Sequence, residues 1–88
     1  KNLFLQKKFL MNKESEANAL IVKQLKKFRK YKNISQGEIG SIIEVSNQQY
    51  SKIETGKNRI FAGQLFLISQ HYHIDISCFF KDCNFSDS

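Results

Sequence analysis

Eighty-eight residues with no proline and only four glycines leave room for one small domain around one core, and argue against a turn-rich β architecture. An apolar share of 41% suits a globular, all-α chain. The net charge of +6 favours an anionic partner, either nucleic acid or an anionic membrane surface, and no apolar run reaches the roughly 20 residues that span a bilayer.

Residues 1–16 read as an N-terminal extension or arm. Leu3, Phe4, Leu5, Phe9, Leu10 and Met11 are apolar, and a polar interval from Asn12 to Glu16 separates them from the next periodic segment. Lys7 and Lys8 interrupt the apolar part and no small-residue cleavage site follows, which argues against a signal peptide and for a soluble, cytoplasmic protein. The chain opens without methionine, so Met11 is a candidate start that would make residues 1–10 upstream sequence. Otherwise the arm packs on the domain or on a second subunit.

The domain proper spans residues 17–80. Ile21, Leu25 and Phe28 follow the i, i+4, i+7 spacing of one buried stripe and predict a first helix over about residues 17–32, with Asn33 as a left-handed cap. Lys23, Lys26, Lys27, Arg29, Lys30 and Lys32 cluster on it with no acid among them. They read mainly as a solvated face, with one or two close to nucleic acid.

Ser35 fits the N-cap of a second helix, with Glu38 closing a capping box and the end near Ile43. Ser46 fits the N-cap of a third, and Gly56 ends it as the residue free to turn left-handed. Ile39, Ile43, Val45, Tyr50 and Ile53 give each helix a buried face, while Asn47, Gln48, Ser51 and Lys52 fall on the opposite side of the third. Asn, Gln and Lys are side chains that read base edges in the major groove, so residues 35–56 point to DNA recognition rather than catalysis.

A loop over residues 57–61 leads to a fourth helix, about residues 62–72, burying Leu65, Ile68 and Tyr72, with Phe66 sharing that face. His73 suits the terminating turn, and Asp75 caps a final short helix carrying Ile76, Phe79 and Phe80. Residues 81–88 form a short polar tail that frays from Cys83 onward.

Taken together, Ser35-Gln36, Glu38-Ile39, Gly40, Ile43, Val45-Ser46, the run Ser51 to Lys57, His73 to Ile76 and Phe79-Phe80 resemble the helix-turn-helix family of phage Cro and lambdoid repressors, the Xre family. Gly40 stands where the second and third helices cross, and Glu54 where the family often carries a Glu that fixes local structure. Two positions depart from the pattern. Glu44 replaces the usual turn glycine, which puts a non-glycine residue in a left-handed conformation at about 1 kcal/mol. Tyr50 is bulkier than the usual Val or Ile, and its hydroxyl is expected to reach the rim or a partner.

The resemblance implies a five-helix lambda-repressor-like domain that inserts helix three into the major groove of double-stranded DNA. It implies base contacts from Asn47, Gln48, Ser51 and Lys52, more weakly Gln49, and phosphate contacts from Gln36, Ser46, Lys57, Asn58 and Arg59. Gln36 sits where a helix N-terminus adds its own field for an anion. A homodimer on a two-fold operator, joined through Ile76, Phe79 and Phe80, doubles the DNA-contacting surface of one small domain. The implied role is a transcriptional regulator, read as a repressor. The alternatives are an antitoxin-like or restriction-controller regulator that also binds a protein partner, or an interaction module without DNA binding.

Nothing argues for an enzyme: there is no glycine-rich phosphate loop, and no Ser or Cys stands in a His and acid constellation. No cofactor is assigned. His71, His73, Cys78 and Cys83 are possible zinc donors, but His71 and His73 are two apart and point to different sides of a helix, so no metal site is assigned either. Two cysteines are too few for a disulfide scaffold and read as free thiols in a reducing compartment.

Overall fold

The structure, a computed structural model, describes residues 2–85, with side chains from residue 13 onward. Four α-helices, α1 (Asn2–Tyr31), α2 (Gln36–Ile42), α3 (Asn47–Glu54) and α4 (Ala62–His71), are followed by a 3-10 turn (Ile76–Phe79). There is no strand among the described residues, so the fold is all-α, but the expected fifth helix is a single 3-10 turn.

The first helix starts at Asn2 rather than near residue 17. The polar interval that suggested a boundary contains no Pro or Gly, and Lys, Glu and Ser are compatible with a helix interior. Polarity changes which face is wet without breaking the backbone ladder. At about 1.5 Å per residue, such a helix accounts for most of the 47 Å long axis of the molecule.

Three helices end on the same device. At the end of α1, Ile34 N donates to Arg29 O at 2.9 Å and Asn33 N to Lys30 O at 3.1 Å, with Asn33 at φ 58°. After α2, Val45 N donates to Gly40 O and Glu44 N to Ser41 O around Glu44 at φ 60°. After α4, Ile74 N and His73 N bond Ser69 O and Gln70 O around His73 at φ 57°. These are Schellman motifs, and each left-handed residue is not glycine. Gly56, at φ 83°, ends α3.

Phe28 lies at the centre of the core. Its ring meets Tyr72 at 5.5 Å, Phe79 at 5.9 Å and Phe85 at 5.5 Å, all edge-on. Val22, Leu25, Ile34, Ile39, Ile43, Tyr50, Ile53, Leu65 and Ile68 complete it. Two tail and face expectations change here. Phe85 does not fray but is buried against Phe28 and Phe79, because one aromatic in a polar tail gains more by filling the core than the tail loses by ordering. Phe66 is 51% exposed, since it lies one residue off the stripe of Leu65, Ile68 and Ser69. Tyr72 is half-buried.

A Cβ built on Gly40 would stand 3.0 Å from Val45 O and 3.3 Å from Tyr50 Cβ. The close approach of α2 to the turn and to α3 therefore depends on a missing side chain.

Candidate nucleic-acid interface

The two central helices are set by their N-caps. Ser35 Oγ accepts from Glu38 N at 3.0 Å, but the reciprocal bond, from Ser35 N to the exposed Glu38 carboxylate, is not made, so the expected capping box is half formed. The complete box belongs to α3: Gln49 N donates to Ser46 Oγ at 3.1 Å and Ser46 N to Gln49 Oε1 at 2.9 Å. The spacing Ser-x-x-Gln announces this as clearly as Ser-x-x-Glu does. Gln49 thus has its carbonyl oxygen engaged at the helix start and retains its amide hydrogens.

Tyr50 and Ile53 turn the inner side of α3 into the core. Asn47, Gln48 and Lys52 are exposed and Ser51 is half-buried, so these four side chains share the outer face. They offer carbonyl and hydroxyl acceptors, amide and hydroxyl donors and one ammonium over little more than one helical turn.

Behind that face lies an ion pair that no local pattern announces. Arg29, near the end of α1, meets Glu54, the last residue of α3, through both carboxylate oxygens: Nε on Oε2 and Nη2 on Oε1 at 3.1 Å. Arg29 Nη1 also donates to Ile34 O at 2.9 Å, and Gln36 Nε2 donates to Glu54 Oε1 at 3.2 Å. The Arg29 and Glu54 side chains are 12% and 3% exposed. One carboxylate thus joins α1, the first turn of α2 and the end of α3. Burial alone would raise the Glu54 pKa, but hydrogen bonds, led by that from Arg29, outweigh it and hold the carboxyl below the usual range. The hydrogen bond to Glu54 correspondingly raises Arg29.

Arg29 therefore leaves the basic cluster in which the sequence placed it. It is the one Arg among lysines on that helix, and a planar fork is what a buried carboxylate requires. Tyr50 departs from expectation too. It is fully buried, its hydroxyl lies beside the Arg29–Glu54 pair without a hydrogen bond of good geometry, and burial pushes its pKa far above the ordinary phenol value.

The remaining positions divide. Gln36 has one amide hydrogen on Glu54 and keeps a second donor at the start of α2. Ser46 caps α3 and is exposed, as are Lys57 and Asn58. Arg59 leans away from the loop toward α1, with Nη1 3.2 Å from Glu14 Oε2 and Nη2 3.2 Å from Ser15 Oγ. Ile60 N donates to Asn18 Oδ1 at 3.4 Å, so α1 braces the loop after α3 through residues expected in the polar interval of an N-terminal arm or at a helix start. At the other end, Ile76 is half-buried and Phe80 half-exposed, but Phe79 has no exposed surface. Phe79 belongs to the core and not to a surface offered to a partner; its ring packs against Phe28 and Phe85.

Among the described residues, no group of three or more His, Cys, Asp or Glu is gathered as metal donors. No helix of the described residues is long and apolar enough to cross a membrane.

A two-helix unit with a tight turn, N-capped at both helices and presenting a polar outer face on the second, defines the helix-turn-helix class. The helix-turn-helix family profile matches residues 25–77, more than half of the chain, and the chain belongs to that family, in its Xre-like form. It is 37% identical over 73 residues to an HTH-type transcriptional regulator of Sinorhizobium fredii, covering 80% of this chain and 51% of that protein. A second such regulator from Sinorhizobium fredii is 36% identical over 70 residues, covering 80% and 49%. One from Rickettsia conorii is 33% identical over 64 residues, covering 73% and 51%. All three bear the description uncharacterised, and the chain spans about half the length of these curated relatives. No solved structure matches the chain significantly.

Proposed function

We propose that the chain is a sequence-specific DNA-binding module of a transcriptional regulator, acting as a repressor, that places α3 in the major groove of a two-fold operator. The observation that carries this reading is the exposed polar face of Asn47, Gln48, Ser51 and Lys52 on a helix whose far end is clamped to α1 and α2 through Glu54. A recognition helix must be rigid as well as polar, because a bidentate contact discriminates bases only if its donor and acceptor are held in register.

In this reading Gln48 or Asn47 pairs with adenine N6 and N7, and Lys52 meets guanine O6 and N7 or a phosphate. The second amide hydrogen of Gln36, the Ser46 hydroxyl, Lys57 and Asn58 meet the backbone and set register without reading sequence. Arg59 joins them by exchanging its exposed partner Glu14 for a phosphate, an exchange that an exposed ion pair hardly resists. Pairing of two copies uses Phe80 and Ile76, where half-exposed apolar surface is available.

The test is a gel shift on the DNA flanking the chain's own gene, repeated with Gln48→Ala and Lys52→Ala. Loss confined to the specific duplex, by about 1–3 kcal/mol for a bidentate contact, supports the operator reading. The absence of a shift on any duplex, at low as well as moderate salt, would leave the fold as an interaction module.

A further inference from the structure

The 3-10 turn and the chain after it bring the two cysteines together. Cys78 Sγ and Cys83 Sγ are 2.9 Å apart, both half-buried and both thiols. Each is held from a different direction. Cys78 N donates to Asp75 O at 2.9 Å within the turn, which Asp75 caps through Ser77 N at 3.0 Å. Cys83 is fixed to α1: its N–H donates to Gln24 Oε1 at 3.4 Å, and Lys27 Nζ donates to Cys83 O at 3.3 Å and to Asp82 Oδ1 at 2.9 Å. Two residues on, Phe85 is anchored in the core. Residues 81–85 are thus a strap drawn across α1, and the cysteines stand where the strap meets the turn.

We propose that Cys78 and Cys83 form a thiol-oxidation site whose reagent is a small-molecule disulfide, and that the resulting crosslink locks the strap onto the domain. A disulfide requires sulfurs about 2.05 Å apart, so the pair closes by less than an ångström, without unseating Phe79 or Phe85. The chemistry balances as two exchanges. One cysteine thiolate attacks the small disulfide, forms a mixed disulfide and expels one thiolate. The second cysteine then attacks the protein sulfur of that mixed disulfide and expels the other. The protein loses two protons and two electrons, and the reagent is reduced to two thiols.

Because the folded chain holds the sulfurs together while the unfolded chain must close the loop against entropy, oxidation and folding are linked. For a loop this short the chain-entropy relation gives roughly a 40-fold preference for the disulfide in the folded state. The experiment equilibrates the full chain with mixtures of oxidised and reduced glutathione, once in native buffer and once in concentrated guanidinium. Free thiols are then alkylated and the products weighed. The expected result is an intramolecular disulfide, two hydrogens lighter, that is more than ten-fold more favoured in native buffer. Its Tm should rise by about 5 °C or more. Cys78→Ser and Cys83→Ser should each stop at the mixed disulfide with glutathione. Equal oxidation in native and denatured chains would overturn the proposal, as would mixed disulfides or crosslinked dimers as the main native products of the unsubstituted chain.

Discussion

Replacing Arg29 with methionine keeps an unbranched stem but deletes the guanidinium, and with it the charge that pairs with Glu54. Glu54 would remain 97% out of solvent by its side chain's 3% exposure, with Gln36 as its remaining side-chain donor, and Ile34 O would lose its bond. Removing one partner of a buried pair in this way destabilises a protein by about 3–5 kcal/mol, a large fraction of the stability of a domain this small. The pH dependence makes the test sharper. In the unsubstituted chain the Glu54 pKa is depressed, so its contribution is present above the unfolded carboxylate value and fades as pH falls through the folded one. Without Arg29, burial dominates and raises the Glu54 pKa, so that protonation relieves the variant as the solution is acidified. The gap between the two proteins should therefore narrow from neutral pH toward about pH 4. Urea denaturation followed by circular dichroism at both pH values measures it. Pairing the change with Glu54→Leu should restore most of the lost stability. A loss under about 1 kcal/mol at neutral pH, the size expected of a surface pair, would refute the clamp. So would a gap unchanged by pH.

Three further substitutions probe other parts of the domain. Glu44→Gly relieves a left-handed residue at the turn but loosens the unfolded chain, so thermal melting should show a change between zero and a gain of about 1 kcal/mol. A substantial loss would mean that the Glu44 side chain has a role of its own. Gly40→Val drives a branched side chain against Val45 O and Tyr50 Cβ and should lower stability by about 1–3 kcal/mol in urea titrations, with a loss of DNA affinity as α3 shifts. Phe85→Ala should cost about 3 kcal/mol in the same titrations, although a polar tail surrounds it. A change near zero would return Phe85 to a frayed end.

The elements that local chemistry governs were legible in the chain. Asn33 and Gly56 as left-handed residues, His73 at a helix-terminating turn, Ser35 and Ser46 as caps, and Asp75 at the last turn all follow from interactions within a few residues. Glu44 was legible for a different reason: the family pattern requires a left-handed turn there, whatever residue supplies it. The outer face of α3 follows from helical periodicity. What escaped depends on distance or on a single residue. Arg29 and Glu54 are 25 positions apart, and nothing in a lysine-rich helix marks which cation turns inward. Phe85 and the clamped strap carry no periodicity, and the start of α1 was obscured because a polar interval resembles a boundary when only hydrophobic pattern is weighed. Phe79 and Phe80 are adjacent, and only the packing against Phe28 decides that Phe79 is core and Phe80 surface.

That α3 reads base sequence is open to direct test. Selection of the chain against a pool of random duplexes, with the bound fraction sequenced, tests it most directly. The expected result is an enriched two-fold motif with half-sites about one helical turn, 10–10.5 bp, apart. Gln48→Ala should relax the preference at a position in each half-site while leaving the spacing intact. Binding that is strong in low salt, lost in moderate salt and without any enriched sequence would show phosphate attraction alone, and would contradict it.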